Sequence, residues 1–300
     1  MKPILARELM SPGHLACPGC GASLAMRYAL NALGPRTMVI MPAGCWSTFI
    51  GVYPHTCLAA PVMSVAFETA AATAAGVKAG LEAQGKDDIT VMAWAGDGGT
   101  FDIGFQALSG AAERNDDILY VCYDNEAYMN TGIQRSSATP GGCWTTTTPV
   151  SAPKPQAKKD MVAIMAAHGV PYAATASVGF PEDFMAKLKK AAAIKGTKFI
   201  HLFASCPTGW RHDTHQSIEV ARLAVAARVF PLYEVSGGDD WRLSDMPGKV
   251  PVDGYLGMQG RFKAGLASPD GVAGFQKRVD ALWLRLQERC QRGRGGRGGR

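Results

Sequence analysis

Short apolar runs alternate along this chain with longer segments whose apolar residues recur every third or fourth position. The runs Thr37–Met41, Ile89–Ala95, Ile118–Tyr123, Val170–Ala176, Phe199–Ala204 and Phe230–Val235 each stop at Pro, Gly or a polar residue, which predicts buried strands. The segments Ala22–Leu33, Phe67–Gln84, Ile103–Arg114, Asp160–His168, Glu182–Lys195 and Ser217–Arg228 predict helices. In Glu182–Lys195, Phe184, Leu188 and Ala191 make the buried side, and Lys187, Lys189, Lys190 and Lys195 the exposed one. A last helix runs from a Ser268-Pro269-Asp270 cap to about Cys290, with Val279, Leu282, Trp283 and Leu286 on one face. Residues 1–16 and 236–268 lack such periodicity and read as extended arms. Strand and helix in alternation make an α/β fold, a mostly parallel sheet with helices on both faces.

One βαβ unit carries the candidate chemistry. Ile89–Ala95 delivers Gly96-Asp97-Gly98-Gly99, and Ile118–Tyr123 delivers Asp124-Asn125. The helix between them, with Ile103, Phe105, Ala107, Leu108 and Ala111 apolar, forces the two strands parallel. Asp97 and Asn125 therefore emerge on one edge, the edge where open α/β sheets bind ligands. An Asp carboxylate and an Asn carbonyl are hard oxygen ligands suited to Mg²⁺, which completes its shell with substrate phosphates. The glycines let backbone N–H groups approach such phosphates. The bland alternative is a βα turn and a loop Asp-Asn pair.

Four cysteines fall in loops: Cys17 and Cys20 in Cys17-Pro18-Gly19-Cys20-Gly21, Cys45 in Gly44-Cys45-Trp46, and Cys206 in Ser205-Cys206-Pro207-Thr208-Gly209-Trp210. Two of these loops follow predicted strands, so Cys45 and Cys206 are expected at the same edge as Asp97. Four thiolates bind structural zinc or a [4Fe–4S] cluster, and spacing alone favours neither. Cys57, Cys122, Cys143 and Cys290 are left as free thiols, Cys122 inert inside a strand. His55 is a lone loop histidine, more often structural than catalytic. Thr131–Pro155 is a long Thr-, Ser-, Gly- and Pro-rich loop beside the proposed site, a substrate-side lid or a partner contact.

Composition narrows the classes. Three hundred residues, 47% of them hydrophobic, bury a full core. No uncharged apolar run reaches membrane-spanning length, and Arg7 and Glu8 interrupt any signal-peptide core. Eight cysteines without such a signal point to a reducing, cytoplasmic setting. The net charge of +6 owes much to the arginines of the final Arg-Gly tail, so the body is close to neutral and a nucleic-acid role for it is weak. The expected division is a body over 1–235, an arm and helix over 236–290, and an Arg-Gly tail over 291–300 that is disordered by composition.

The stretch from Gly96-Asp97-Gly98 to Asn125 resembles the thiamine diphosphate motif. The five motifs together, Cys17–Gly21, Gly44–Trp46, Gly96–Gly98, Asp124–Gly132 and Ser205–Trp210, resemble the β subunit of 2-oxoacid:ferredoxin oxidoreductases over nearly the whole chain. That resemblance implies a thiamine diphosphate-binding fold. It implies that Cys17, Cys20, Cys45 and Cys206 ligate a [4Fe–4S] cluster, and that Asp97, Asn125 and the carbonyl of Ala127 hold Mg²⁺. Gly44, Cys45, Gly96, Gly98, Gly99, Glu126, Ala127, Tyr128 and Met129 would contact the cofactor, with Asn130 facing the reacting carbon. Some members carry Glu where Ala22 stands, so a thiamine contact is in doubt there; the Arg-Gly tail is outside the family pattern.

The implied reaction is oxidative decarboxylation of a 2-oxoacid (pyruvate, or an aryl acid such as phenylglyoxylate) to acyl-CoA and CO₂. Coenzyme A is cosubstrate, and electrons pass to ferredoxin or NAD. Neither Glu68 nor Glu126 stands in a context suited to activating thiamine, so an α subunit is expected to supply that Glu. Further γ, ferredoxin-like δ and flavin subunits are the other implied partners. The rivals are a zinc-stabilised non-catalytic subunit and a thiamine decarboxylase without electron transfer.

Overall fold

The structure, a computed structural model, describes residues 8–263 and 271–295. The predicted Ser268-Pro269-Asp270 cap and the tail from 296 onward lie outside the described residues. In chain order the main elements are α1 (Gly21–Leu33), β1 (Thr37–Pro42), α2 (Cys45–Phe49), β2 (Val62–Val65), α3 (Ala70–Glu82), β3 (Thr90–Gly96), a π-helical turn (Gly98–Asp102), α4 (Phe105–Arg114) and β4 (Leu119–Asp124). Then come α5 (Met161–Ala167), β5 (Tyr172–Ser177), α6 (Pro181–Ala192), β6 (Lys198–Phe203), α7 (Pro207–Trp210), α8 (Ser217–Ala226), β7 (Tyr233–Ser236), β8 (Asp240–Leu243), α9 (Val252–Gly257) and α10 (Gly271–Gly295).

The strands form one sheet in the order β2-β1-β3-β4-β6-β5-β7-β8. The first six are parallel, and β7 and β8 are antiparallel to their neighbours. Alternation along β3 sorts its side chains onto two apolar layers. Met92 and Trp94 belong to the layer that also includes residues of α1, α6, α8 and α9, whereas Val91, Ala93 and Ala95 belong to the layer that also includes residues of α3, α4, α5 and α10. Both faces are covered, as a parallel sheet requires. The carboxyl ends of β1, β3, β4 and β6 therefore open onto one edge, and they deliver Gly44, Asp97, Asn125 and Ser205. No helix among the described residues is long and apolar enough to cross a membrane.

Several local expectations are corrected. Lys187 is buried, because its Nζ donates to Thr175 O at 2.8 Å and pairs with Asp183 one turn earlier, also at 2.8 Å. Ile103 is 53% exposed, since the π turn delays α4 to Phe105 and leaves residue 103 out of phase with Leu108 and Ala111. Leu282 is exposed, because the inner face of α10 runs through Val279, Leu286 and Cys290. That helix passes Cys290 and continues to Gly295, anchored where Arg289 pairs with Asp160 and stacks on Trp241. Residues 236–268 are not wholly an extended arm. Gly237 and Gly238, both at positive φ, turn β7 into the short edge strand β8, and α9 follows.

Candidate active site

Asp97 is the first residue past β3 and is buried. Its Oδ2 accepts from Ser136 Oγ at 2.5 Å. Burial, reinforced by the neighbouring Asp124 carboxylate, pushes the Asp97 carboxyl well above its usual range. The side-chain amide of Asn125, the first residue past β4, lies 2.9 Å from Asp97 Oδ1 and 3.0 Å from the Ala127 carbonyl oxygen. With its NH₂ turned inward, the amide donates to both oxygens. With its oxygen turned inward, three oxygens face one another, an arrangement that calls for a cation. Neighbouring ligands on an octahedral ion at 2.0–2.1 Å lie about 2.9 Å apart, so the three residues fit Mg²⁺.

A cleft of about 140 Å³ opens over these groups. Of the residues singled out in the sequence, Gly44, Cys45, Gly96, Asp97, Gly98, Gly99, Asn125, Ala127, Tyr128, Met129 and Asn130 line it, together with Ala43, Phe67, Tyr123 and Thr131. Gly98 is there of necessity: a Cβ would meet the Tyr128 ring at 2.4 Å. That ring stands against the π turn because its hydroxyl donates to Asp102 at 2.8 Å, and it meets Phe67 edge-on. Asn130 sits exposed at the mouth, where its Oδ1 accepts from Thr48 Oγ1 at 3.3 Å. Two candidates lie elsewhere. Ala22 packs in the core on α1, and the Glu126 side chain points beneath the loop, away from the cleft. His55 is exposed in its own loop and is not among the lining residues.

The four cysteines gather at the same edge. Cys20 N–H bonds back to Cys17 O in a tight turn, and Gly21 N–H donates to Ser205 O at 2.9 Å, seating that turn against the Cys206 loop. Burial chiefly, with the other cysteines adding to it, pushes the Cys45 and Cys206 thiols up to about 12. Cys17, Cys20, Cys45 and Cys206 form no disulfide with one another. Among the described residues, no three His, Cys, Asp or Glu side chains converge at the spacing of a single metal ion. Cys45 joins the two regions, since it lines the cleft with Asp97 and feels the charge of Cys17, Cys20 and Cys206.

Sequence reasoning missed the groups that hold this edge in place. Ser136 and Ser137 of the long loop bind Asp97 and Asp102, which pins that loop to β3 and the π turn. Burial alone would raise the Asp124 carboxyl, yet the Lys158 ammonium and His201, 2.6 Å away, bring it down to about 2. The only signal for Lys158 was its place just before α5. A larger cleft, about 410 Å³, lies at the opposite edge of the sheet; there Asp117 takes Lys195 at 3.0 Å, Lys198 at 2.5 Å and Lys78 at 3.4 Å.

Comparison with known proteins agrees with this geometry. The thiamine pyrophosphate enzyme C-terminal TPP-binding domain matches residues 42–202. A ketoisovalerate oxidoreductase subunit VorB from Pyrococcus horikoshii is 50% identical over 286 residues, 92% of this chain and 91% of that one. A pyruvate synthase subunit PorB from Methanothermobacter thermautotrophicus is 48% identical over 284 residues, 93% of this chain and 98% of that one. A solved 2-oxoglutarate:ferredoxin oxidoreductase from Magnetococcus marinus shares the fold with a TM-score of 0.59 at 24% identity, over 74% of this chain and 81% of that chain. The chain therefore belongs to the 2-oxoacid:ferredoxin oxidoreductase family, as a subunit of the VorB and PorB type built on the thiamine pyrophosphate-binding domain.

Proposed function

We propose that this chain is the thiamine diphosphate- and [4Fe–4S]-binding subunit of a CoA-acylating 2-oxoacid oxidoreductase. The observation that carries the reading is the convergence of the Asp97 carboxylate, the Asn125 side-chain amide and the Ala127 carbonyl on one cleft that also holds Cys45 of the four-thiol group. Asp97, Asn125 and the Ala127 carbonyl would hold Mg²⁺ and, through it, a diphosphate. Gly96, Gly98 and Gly99 leave backbone close to that diphosphate. Cys17, Cys20, Cys45 and Cys206 would hold the cluster. When bound, thiamine diphosphate supplies the nucleophilic carbon and electron sink for decarboxylation, and a cluster supplies a one-electron acceptor. This chain's part is to set the two side by side; Tyr128, Phe67 and Met129 wall the cleft, and Asn130 offers its amide at the mouth.

Asp97 is the one carboxylate among the lining residues, and it is committed to the Asn125 amide and the Ser136 hydroxyl. Glu68 is exposed and Glu126 is held beneath the loop, which supports an α subunit as source of the thiamine-activating Glu and further subunits as electron carriers. The substrate is an aliphatic 2-oxoacid, pyruvate or a branched-chain acid, because relatives at 48% and 50% identity carry those names; the aryl expectation gains no support from them.

The test compares this chain alone with the complex purified with its partners, using a 2-oxoacid panel with CoA. Turnover is expected from the complex and not from the chain alone; robust turnover by the isolated chain overturns the heteromer. Metal analysis is expected to find iron and sulfide in equal amounts. Zinc in their place would support the non-catalytic reading, and thiamine diphosphate without iron the plain decarboxylase.

A further inference from the structure

Beneath the Asp124–Ala127 turn lies a cluster of charges outside the cleft. Glu126, between the two loop residues that offer oxygens to the cation, has φ of +68° and is 2% exposed. For a residue with a Cβ that left-handed conformation is disfavoured, and it persists where surrounding contacts hold it. Its carboxylate lies 2.7 Å from Lys158 Nζ and 2.6 Å from Arg261 Nη2, the latter a contact too bent to be a linear hydrogen bond.

Arg261 comes from the turn Gly260–Phe262, far along the chain, and is equally buried. Its Nε donates to Gln259 Oε1 at 2.9 Å and its Nη2 to the Tyr255 hydroxyl at 3.2 Å. The guanidinium stacks 4.1 Å from the Trp210 ring, and Trp210 Nε1–H donates to Asn125 O at 2.7 Å. Every residue from Asp124 to Glu126 is thus gripped from below, by Lys158 and His201, by Trp210, and by Arg261.

We propose that Arg261 is a positioning residue. Through Glu126 it keeps the loop in the one backbone conformation that aims the Asn125 side chain and the Ala127 carbonyl at the same point as Asp97. By stacking on Trp210 it ties the Cys206 loop to the same frame. Arg261 does not line the cleft and touches no reacting group. This inference rests on the Mg²⁺–diphosphate reading above.

The experiment strips metal from the complex with its partner subunits and titrates Mg²⁺ in saturating thiamine diphosphate. The binding isotherm, thermal midpoint and kcat at saturating Mg²⁺ are recorded for wild type, R261K, R261M and E126G/R261M. R261M is expected to weaken Mg²⁺ binding by about 10–100-fold, the usual effect of losing a residue that orients a metal ligand. Its kcat is expected to recover in excess Mg²⁺. R261K keeps the charge but loses the planar fork and falls between the two. Glycine adopts positive φ freely, so E126G/R261M is expected to regain most of the lost affinity, a rescue that a merely stabilising role does not produce.

Mg²⁺ affinity unchanged in R261M, or no gain in the double variant, overturns the inference. Should R261M fail to assemble, the double variant is judged against wild type, and a loss above about tenfold overturns it equally. Absence of Mg²⁺ uptake by the wild-type complex would instead overturn the metal reading, and this inference with it.

Discussion

Gly21 sets the distance between the Cys17–Cys20 turn and the Cys206 loop, so Gly21→Ala tests whether the four thiols need that closeness. Its N–H donates to Ser205 O at 2.9 Å. A Cβ on Gly21 would stand 2.7 Å from Ser205 N, 2.8 Å from Ser205 Oγ and 2.9 Å from Ser205 O. Two of those atoms are backbone and cannot swing aside. Restoring ordinary contact at 3.4 Å means opening the gap by about 0.7 Å, and Cys20 and Cys206, one residue away on either side, separate with it. Overpacking of this kind costs about 1–3 kcal/mol, and weakening the Gly21–Ser205 hydrogen bond adds up to about 1 kcal/mol. Helix propensity works the other way: an unhindered Gly→Ala change in a helix gains up to about 1 kcal/mol. The sign is therefore diagnostic. Urea unfolding of the metal-free chain is expected to show a net loss of about 1–3 kcal/mol, and the complex to hold less than about half of the wild-type iron and sulfide. A variant as stable as wild type with its full iron would refute the claim that this contact sets the thiol geometry.

Gly209→Ala is expected to cost less than Gly21→Ala in the same unfolding assay, because its Cβ meets the movable end of Met129, at 2.2 Å from Sδ and 2.3 Å from Cε. Cys45→Ser is expected to abolish the visible absorption of the cluster; unchanged iron content would remove Cys45 from the ligand set. Mg²⁺ and thiamine diphosphate together, at about 100 times their dissociation constant, are expected to stabilise the complex by about 2.7 kcal/mol. Asp97→Asn is expected to lose that gain, and a full gain in the variant would exclude Asp97 as a ligand. At the opposite edge, burial acts to raise the Asp117 carboxyl, but hydrogen bonds from Lys198 and Lys195 bring it down to about 2. A depressed carboxyl contributes stability above its unfolded pKa of about 3.9 and loses it as pH falls through the folded value. Asp117→Asn should thus cost about 1 kcal/mol between pH 5 and 8, discounted because the carboxylate keeps a face to water, with the difference closing below about pH 4. A gap undiminished at about pH 2, where the folded carboxyl is half protonated, would point to packing instead of charge.

The residues most legible from the sequence, Asp97, Asn125, Cys45 and Cys206, share one property: each lies within three residues of the end of a strand. Once Ile89–Ala95 and Ile118–Tyr123 are joined by a helix, topology alone brings Asp97 and Asn125 to one edge, and the 2.9 Å contact between them is the result. Cys45 and Cys206 follow the same logic after β1 and β6. The misses come from contacts that period and spacing do not encode. Lys187 looked like a solvated helix charge, yet its stem crosses the apolar face and its ammonium finds Thr175 O. The short edge strand β8 pairs only with β7 and carries charges at alternate positions, so no apolar run announced it; the Gly237-Gly238 turn was its one local sign.

Glu126 shows why the remaining part was invisible. As a motif residue beside Asn125 it reads as a cofactor contact, and nothing near it in sequence says otherwise. Its left-handed φ is disfavoured for a residue with a side chain, and of its two cationic partners, Lys158 and Arg261, the second comes from a stretch without periodicity. A buried arginine is admitted only where its charge and donors are met, and Glu126, Gln259 and Tyr255 meet them while Trp210 covers its face. Removing Glu126 or Arg261 singly would leave the other charge buried with a missing partner, so neither change is tolerated alone as well as the exchange of both. The arm that sequence periodicity left without a role is thus fixed by the same charges that shape the loop, and the loop's geometry in turn depends on the arm being folded against it.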